Sequence, residues 1–290
     1  MGVKSIANGP VTKQTVLAWG WANLVANTLI ILTGGLVRLT SSGLGCPNWP
    51  TCEGTQIAPH SALGWHGAIE FSNRLLTYVL IAIAIGAVIA VWRWPAATKY
   101  QRQLVVAIAI GIPFQGIIGG ITVLTELNPW VVSLHLVLSM AIVIAATAFL
   151  ISVQNLEANA PRRPALIVRS AYVFLLAAIY LGTIVTGSGP HAGDADAPRN
   201  GLNPEHLSKI HAWTIWLFII LTVIAIVQLS QKSRRIGIVV LIAGLAQGSI
   251  GYIQYFTDLP IALVAAHLIG AAMLLSVTTY WVLATRPEPR

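Results

Sequence analysis

Apolar residues gather into eight runs, each long enough to cross the ~30 Å hydrocarbon core of a bilayer as a helix. The runs are about 15–37, 64–91, 103–124, 131–153, 168–187, 208–230, 236–256 and 261–284. Polar and turn-forming residues separate them. Two connections are long, about 38–63 and 188–207, whereas 125–130 and 257–260 leave room only for tight turns. The pattern predicts an all-α integral membrane protein with eight transmembrane helices.

Composition supports this reading. Hydrophobic residues make up 56% of the chain and charged residues 9%, against roughly 25% charged in soluble domains. The first apolar run leads into Gly34-Gly35 and Arg38 instead of a small-residue cleavage site, so it reads as a span and not as a signal peptide.

Charge sets the orientation. Lys4, Lys13, Arg93, Lys99, Arg102, Arg162, Arg163, Arg169, Lys232, Arg234, Arg235, Arg286 and Arg290 fall on one side, which is 13 of the 17 basic residues. Arg38, Arg74, Arg199 and Lys209 fall on or near the other. The positive-inside rule then places both termini in the cytoplasm and both long loops outside. The net charge of +8 is this topological signal plus attraction to anionic membrane lipid. It is no nucleic-acid footprint, because the basic residues are scattered over short loops without aromatic neighbours. Glu53, Glu126, Asp194, Asp196, Glu205 and Asp258 fall in outer loops, Glu157 and Glu288 inside, and only Glu70 within a span.

One phrase occurs twice. Gln115-Gly116-Ile117-Ile118-Gly119 is followed by His135, and Gln247-Gly248-Ser249-Ile250-Gly251 by His267, each histidine twenty residues after its glutamine. The offset of 132 also matches Ile121 to Ile253, Thr125 to Thr257, Glu126 to Asp258 and Leu127 to Leu259. Two similar halves follow. Pairs of small residues, Gly116 with Gly120 and Gly244 with Gly248, offer sites where helix backbones approach closely.

Of the seven histidines, His60, His191 and His206 fall in outer loops, where a solvated role is the default, and His66 lies at the mouth of span two. His135, His211 and His267 lie early in spans four, six and eight, ~9–11 Å below the outer ends for the first and last. An imidazole at that depth requires a partner. His211 and His267 on facing spans, with no thiolate or carboxylate beside them, suit haem iron better than zinc; hydrogen-bonded structural histidines are the alternative. Aligning the helix starts puts Asn73 where the second half has His211, with Glu70 one turn before it on the same face. Glu70 reads either as a functional carboxylate or as the i,i+4 partner of Arg74.

Cys46 and Cys52 flank Pro47-Asn48-Trp49-Pro50-Thr51 on the oxidising side. That spacing predicts a disulfide, either a structural staple or a redox-active bond. A zinc site needs more ligands than His60 nearby supplies.

These residues carry a resemblance to the haem A synthases. Gly34-Gly35-Leu36-Val37-Arg38 leads to Ser42-Gly43 and the Cys46–Cys52 loop, then come Glu70 to Arg74 and the two Gln-Gly-His blocks. The resemblance covers nearly the whole chain. It implies two pseudo-symmetric four-helix bundles. Residues 1–155 would carry the substrate haem site and the cysteine loop, and 156–290 a haem b site. It also implies oxidation of a ring methyl of haem O to the formyl group of haem A, for cytochrome oxidase assembly. The family's Glu-x-x-His-Arg motif falls on Glu70 and Arg74, making Glu70 catalytic. Its axial histidines fall on His135, His211 and His267, with Asn73 where the family commonly has histidine. As partners it implies haem O, the haem O synthase that makes it, and an electron acceptor such as quinone. A di-haem b-type cytochrome serving quinone is the alternative. It would require two equivalent histidine pairs, and the first half lacks one histidine. A transporter would place its polar residues at mid-membrane, whereas here they gather near the outer end.

Overall fold

The computed structural model describes residues 11–155 and 158–287. Expectations resting on Lys4, Glu157, Glu288, Arg290 and the terminal residues lie outside the described residues. Eight helices form: α1 (Lys13–Leu39), α2 (Gly64–Trp92), α3 (Lys99–Leu124), α4 (Pro129–Gln154), α5 (Arg162–Ser188), α6 (Pro204–Gln228), α7 (Gln231–Phe256) and α8 (Ile261–Ala284). All eight are long and apolar enough to cross a membrane.

The helices outrun the apolar runs at their polar ends. α5 begins at Arg162 instead of 168, and α7 at Gln231 instead of 236. A helix satisfies its own backbone wherever its side chains point, so basic first turns continue the helix into the headgroup layer. α6 stops at Gln228, short of 230, because Ser230 is already the N-cap of α7. Local chemistry fixes other starts. Thr98 and Gln101 form a reciprocal capping box on α3. Asn128 and Asn203 cap α4 and α6, each with proline at the next position.

α1 packs on α2 and α4, and α3 lies between α2 and α4. α5 packs on α6 and α8, and α7 lies between α6 and α8. α4, α8, α1 and α5 meet along the middle. Lipid offers no hydrophobic drive between helices, so small residues and hydrogen bonds hold this seam. Thr147 Oγ1 meets Ser276 Oγ at 2.9 Å and Tyr172 Oη meets Thr279 Oγ1 at 2.8 Å. Ser133 Oγ donates to the Thr183 carbonyl, and Arg38 Nη2 to the Thr186 carbonyl at 2.6 Å. At the opposite end, strand β1 (Ala158–Ala160) pairs in parallel with β2 (Thr285–Pro287).

The two tight turns share one conformation. Glu126, Leu127, Asp258 and Leu259 all have φ between 52° and 59°. The N–H of Leu127 bonds to the Thr122 carbonyl at 2.7 Å, and that of Leu259 to the Gln254 carbonyl at 2.9 Å. Left-handed leucines are rare, so their recurrence at matching positions gives the sequence repeat a backbone counterpart.

The small-residue pairs divide their work. Gly244 packs on Phe218 and Ile219 of α6 as expected of a close helix contact. Gly248 has nothing within 4 Å, and Gly120 receives the indole of Trp49 from the first long loop instead of a helix. Gly86 of α2 lies under Trp19 of α1, where an added Cβ would stand 2.5 Å from the ring. Gly86→Ala should lower the thermal midpoint of detergent-purified protein by several degrees, since overpacking costs about 1–3 kcal/mol. Gly248→Ala, with open space at its site, should not lower it, which a paired melting experiment checks.

Candidate functional site

The chemistry-bearing side chains collect at the end of the bundle that carries both long loops. Those loops are joined, Gly43 N–H donating to the Gly193 carbonyl at 2.8 Å. Leu127 packs beneath them against Ala192 and Ala197.

The repeated phrase is a histidine mount. Gln115 of α3 donates from Nε2 to the carbonyl of His135 on α4 at 3.0 Å, and Gln247 of α7 donates to the carbonyl of His267 on α8 at 2.6 Å. The glycine four residues after each glutamine gives the ring its space. A Cβ on Gly119 would stand 3.3 Å from His135 Cε1, and one on Gly251 would stand 3.0 Å from His267 Cε1. The glutamine fixes the height of one helix against the other, and the glycine removes the bulk that would push the imidazole aside. Nδ1 of both rings is buried without a hydrogen-bond partner.

His211 on α6 is held differently. Its Nδ1 lies 2.8 Å from the Ala178 carbonyl of α5, and Gly182 of α5 lies against its Cε1. The carbonyl is an acceptor, so Nδ1 carries the proton and Nε2 keeps its lone pair for a metal. The centroids of His211 and His267 are 6.5 Å apart. Imidazole–metal bonds of about 2 Å, with about 1 Å from nitrogen to ring centre, place two axial rings at roughly 6 Å. The pair therefore fits an iron held between them, whose remaining ligands come with a porphyrin.

The first half keeps one member of that arrangement. Asn73 of α2 takes the place of His211: its Oδ1 accepts from Thr33 Oγ1 of α1 at 2.8 Å, and Gly34 faces its amide nitrogen as Gly182 faces the ring. His66 lies toward the loops, with Nδ1 3.0 Å from Ser42 Oγ.

Glu70 and Arg74 do form the i,i+4 ion pair, and they do more. Glu70 is 5% exposed. Its Oε2 accepts from the Cys46 N–H at 2.5 Å, and its Oε1 accepts from both Nε and Nη2 of Arg74. Arg74 also donates to the carbonyls of Cys46, Asn48 and Thr51, each at 3.0 Å. The pair thus clamps the Cys46–Cys52 loop from below. The disulfide is formed, and both cysteines are fully buried. From this loop Trp49 reaches down onto Gly120, the neighbour of the glycine beneath His135. Sequence reasoning missed Trp49; its position inside the cysteine loop was visible, but its target on α3 was not.

The loop histidines are less free than expected. His60 pairs with Glu53, and His191 Nε2 lies 2.9 Å from the Leu259 carbonyl, tying the second long loop to the second tight turn. His206 is exposed but lies in the first turn of α6 and not in a loop, its N–H donating to the Asn203 cap.

The family of cytochrome oxidase assembly proteins matches residues 17–70 and 64–279 of the chain. Among curated proteins, one named "Heme A synthase" from Halalkalibacterium halodurans is 27% identical over 76% of this chain and 78% of its own length. A second, from Rhizorhabdus wittichii, is 25% identical over 95% of this chain and 96% of its own. A third, from Listeria monocytogenes, is 24% identical over 60% of this chain and 59% of its own. Both of these also bear the name "Heme A synthase".

Proposed function

The chain belongs to the family of cytochrome oxidase assembly proteins, and from that premise we propose that it is a haem A synthase. In this reading it is a multi-pass membrane oxidoreductase that oxidises a ring methyl of haem O to the formyl group of haem A. The observation that carries the reading is the facing pair His211 and His267, 6.5 Å apart, recurring in the other half as a single mounted histidine, His135.

Residues 156–290 hold haem b through Nε2 of His211 and a ring nitrogen of His267. Residues 1–155 receive haem O on His135. The two halves are pseudo-symmetric four-helix bundles, a reading supported by the paired turns and paired Gln–His mounts. Both termini face the cytoplasm, so both sites lie near the outer surface beneath the long loops. When bound, haem b supplies a one-electron relay.

The chain's own residues do the rest. His135 fixes the substrate plate at one depth. Trp49 and the disulfide loop cover its edge. Glu70 sits one turn from Asn73, where oxidation of a ring methyl releases protons and leaves positive charge beside the macrocycle. A carboxylate there accepts the proton and stabilises the charge. Arg74 holds Glu70 in place. The formyl group takes up one oxygen atom, as from water, and four electrons leave with the protons. A two-electron acceptor such as a quinone must therefore turn over twice to complete the reaction, and haem O synthase supplies the substrate.

Coexpression with a haem O-producing system should yield haem A on pigment extraction; haem O alone would sink the reading. Glu70→Gln keeps an acceptor for the Cys46 N–H but removes the charge. It should cut conversion about 10²-fold while haem b stays bound; conversion at the unmodified rate would return Glu70 to a loop anchor. His211→Ala or His267→Ala should each abolish or alter the low-spin haem b spectrum, and unaltered spectra in both would refute the ligand pair. A cysteine introduced at exposed Ala195 of the second long loop (Ala195→Cys) should be labelled by impermeant thiol reagents applied to intact, unreduced cells. Labelling only after lysis would invert the topology.

A further inference from the structure

The two halves hold their second axial position with different chemistry. In the second half that position is His211, oriented by the Ala178 carbonyl and seated against Gly182. In the first half a glycine again lies alongside, with a Cβ on Gly34 standing 3.8 Å from the Asn73 amide nitrogen, but the hydrogen-bond partner differs: the Thr33 hydroxyl of α1 donates to Oδ1. An amide is a poor base for iron, and its side chain is shorter than that of histidine. His66 is the remaining imidazole on that helix. It lies seven residues from Asn73, ~10 Å along the axis, and its Nδ1 is engaged by Ser42. His135 opposite is well mounted, with a buried orphan Nδ1 and glycine beneath the ring.

We infer that the first-half site is a one-histidine porphyrin site whose opposite axial position accepts a small neutral exogenous ligand beside the Asn73 amide. This rests on the reading that His135 binds a haem. With Oδ1 taken by Thr33, the amide's remaining hydrogen-bonding capacity is its N–H donors. A polar N–H close to an open iron position favours a bound diatomic molecule, whereas two imidazoles close the iron to any ligand and suit electron transfer alone. One scaffold therefore carries a ligand-accepting haem and a closed haem in the same chain.

The test uses full-length protein in detergent, loaded with iron protoporphyrin in both halves. The ferric protein should show high-spin and low-spin electron paramagnetic resonance signals together. After reduction, carbon monoxide should shift the Soret band of about half of the bound haem. Asn73→His should remove the high-spin signal and the carbon monoxide response together, while His66→Ala should leave both. A wild-type protein that is wholly low-spin and does not bind carbon monoxide would overturn the inference, as would a carbon monoxide response that survives Asn73→His. So would loss of a low-spin signal in His66→Ala, which would make His66 the second ligand. Haem A production without carbon monoxide binding would sink this inference alone; carbon monoxide binding without haem A production would sink only the synthase reading.

Discussion

A polar group inside lipid must find its partner within the protein, and most of this structure follows from that constraint. Threonines in the helices answer it locally. Thr28, Thr147, Thr222 and Thr278 each return a hydrogen bond to the carbonyl four residues back. Gln115 and Gln247 answer it across a helix pair, and in doing so set the height of the histidine that follows. Against that background the unpaired ring nitrogens of His135 and His267 stand out. Gln115 Oε1, on the residue that mounts His135, is likewise buried without a partner, so the first-half mount leaves more than one polar atom open.

The two halves use one scaffold for unequal ends. Both have the same turn, the same Gln–His mount and the same glycine under the ring. They differ at the position facing that ring, imidazole in one and amide in the other, and in the loop above. The first loop is closed by a disulfide and clamped by Glu70 and Arg74, with Trp49 driven down toward the site. The second has no cysteine and is held by Arg199, Asn200 and His191 donating to backbone carbonyls. The half with the amide at that position is thus also the half with the more heavily anchored cover.

The spans, the tight turns, the repeat and the three intramembrane histidines were legible in the sequence. Each is a local pattern: apolar length, turn residues, or a phrase that recurs at a fixed offset. The Cys46–Cys52 bridge was legible for the same reason, since its ends lie six positions apart. What the sequence did not reveal is contact between distant segments. Trp49 on Gly120, Thr33 on Asn73 and His191 on Leu259 have no period and no motif, because a helix face records that it is buried but not against what. Glu70 shows the limit well. Its pairing with Arg74 followed from i,i+4 spacing, whereas its bond to the Cys46 N–H required the loop to be folded over it. The apparent helix-contact glycine Gly120 was misassigned for the same reason, as its neighbour is a loop tryptophan.

The bond from Arg38 to the Thr186 carbonyl bears on how the chain is made. Arg38 ends α1, yet its partner lies 148 residues further on. At synthesis rates of 5–20 residues per second, roughly 7–30 s pass between the emergence of the two. During that interval the guanidinium has no carbonyl to meet and must remain in the headgroup layer, holding the end of α1 toward water. The end of α1 is therefore made early but tied late, and a chain arrested before α5 would lack this bond although Glu70 and Arg74 already clamp its first loop.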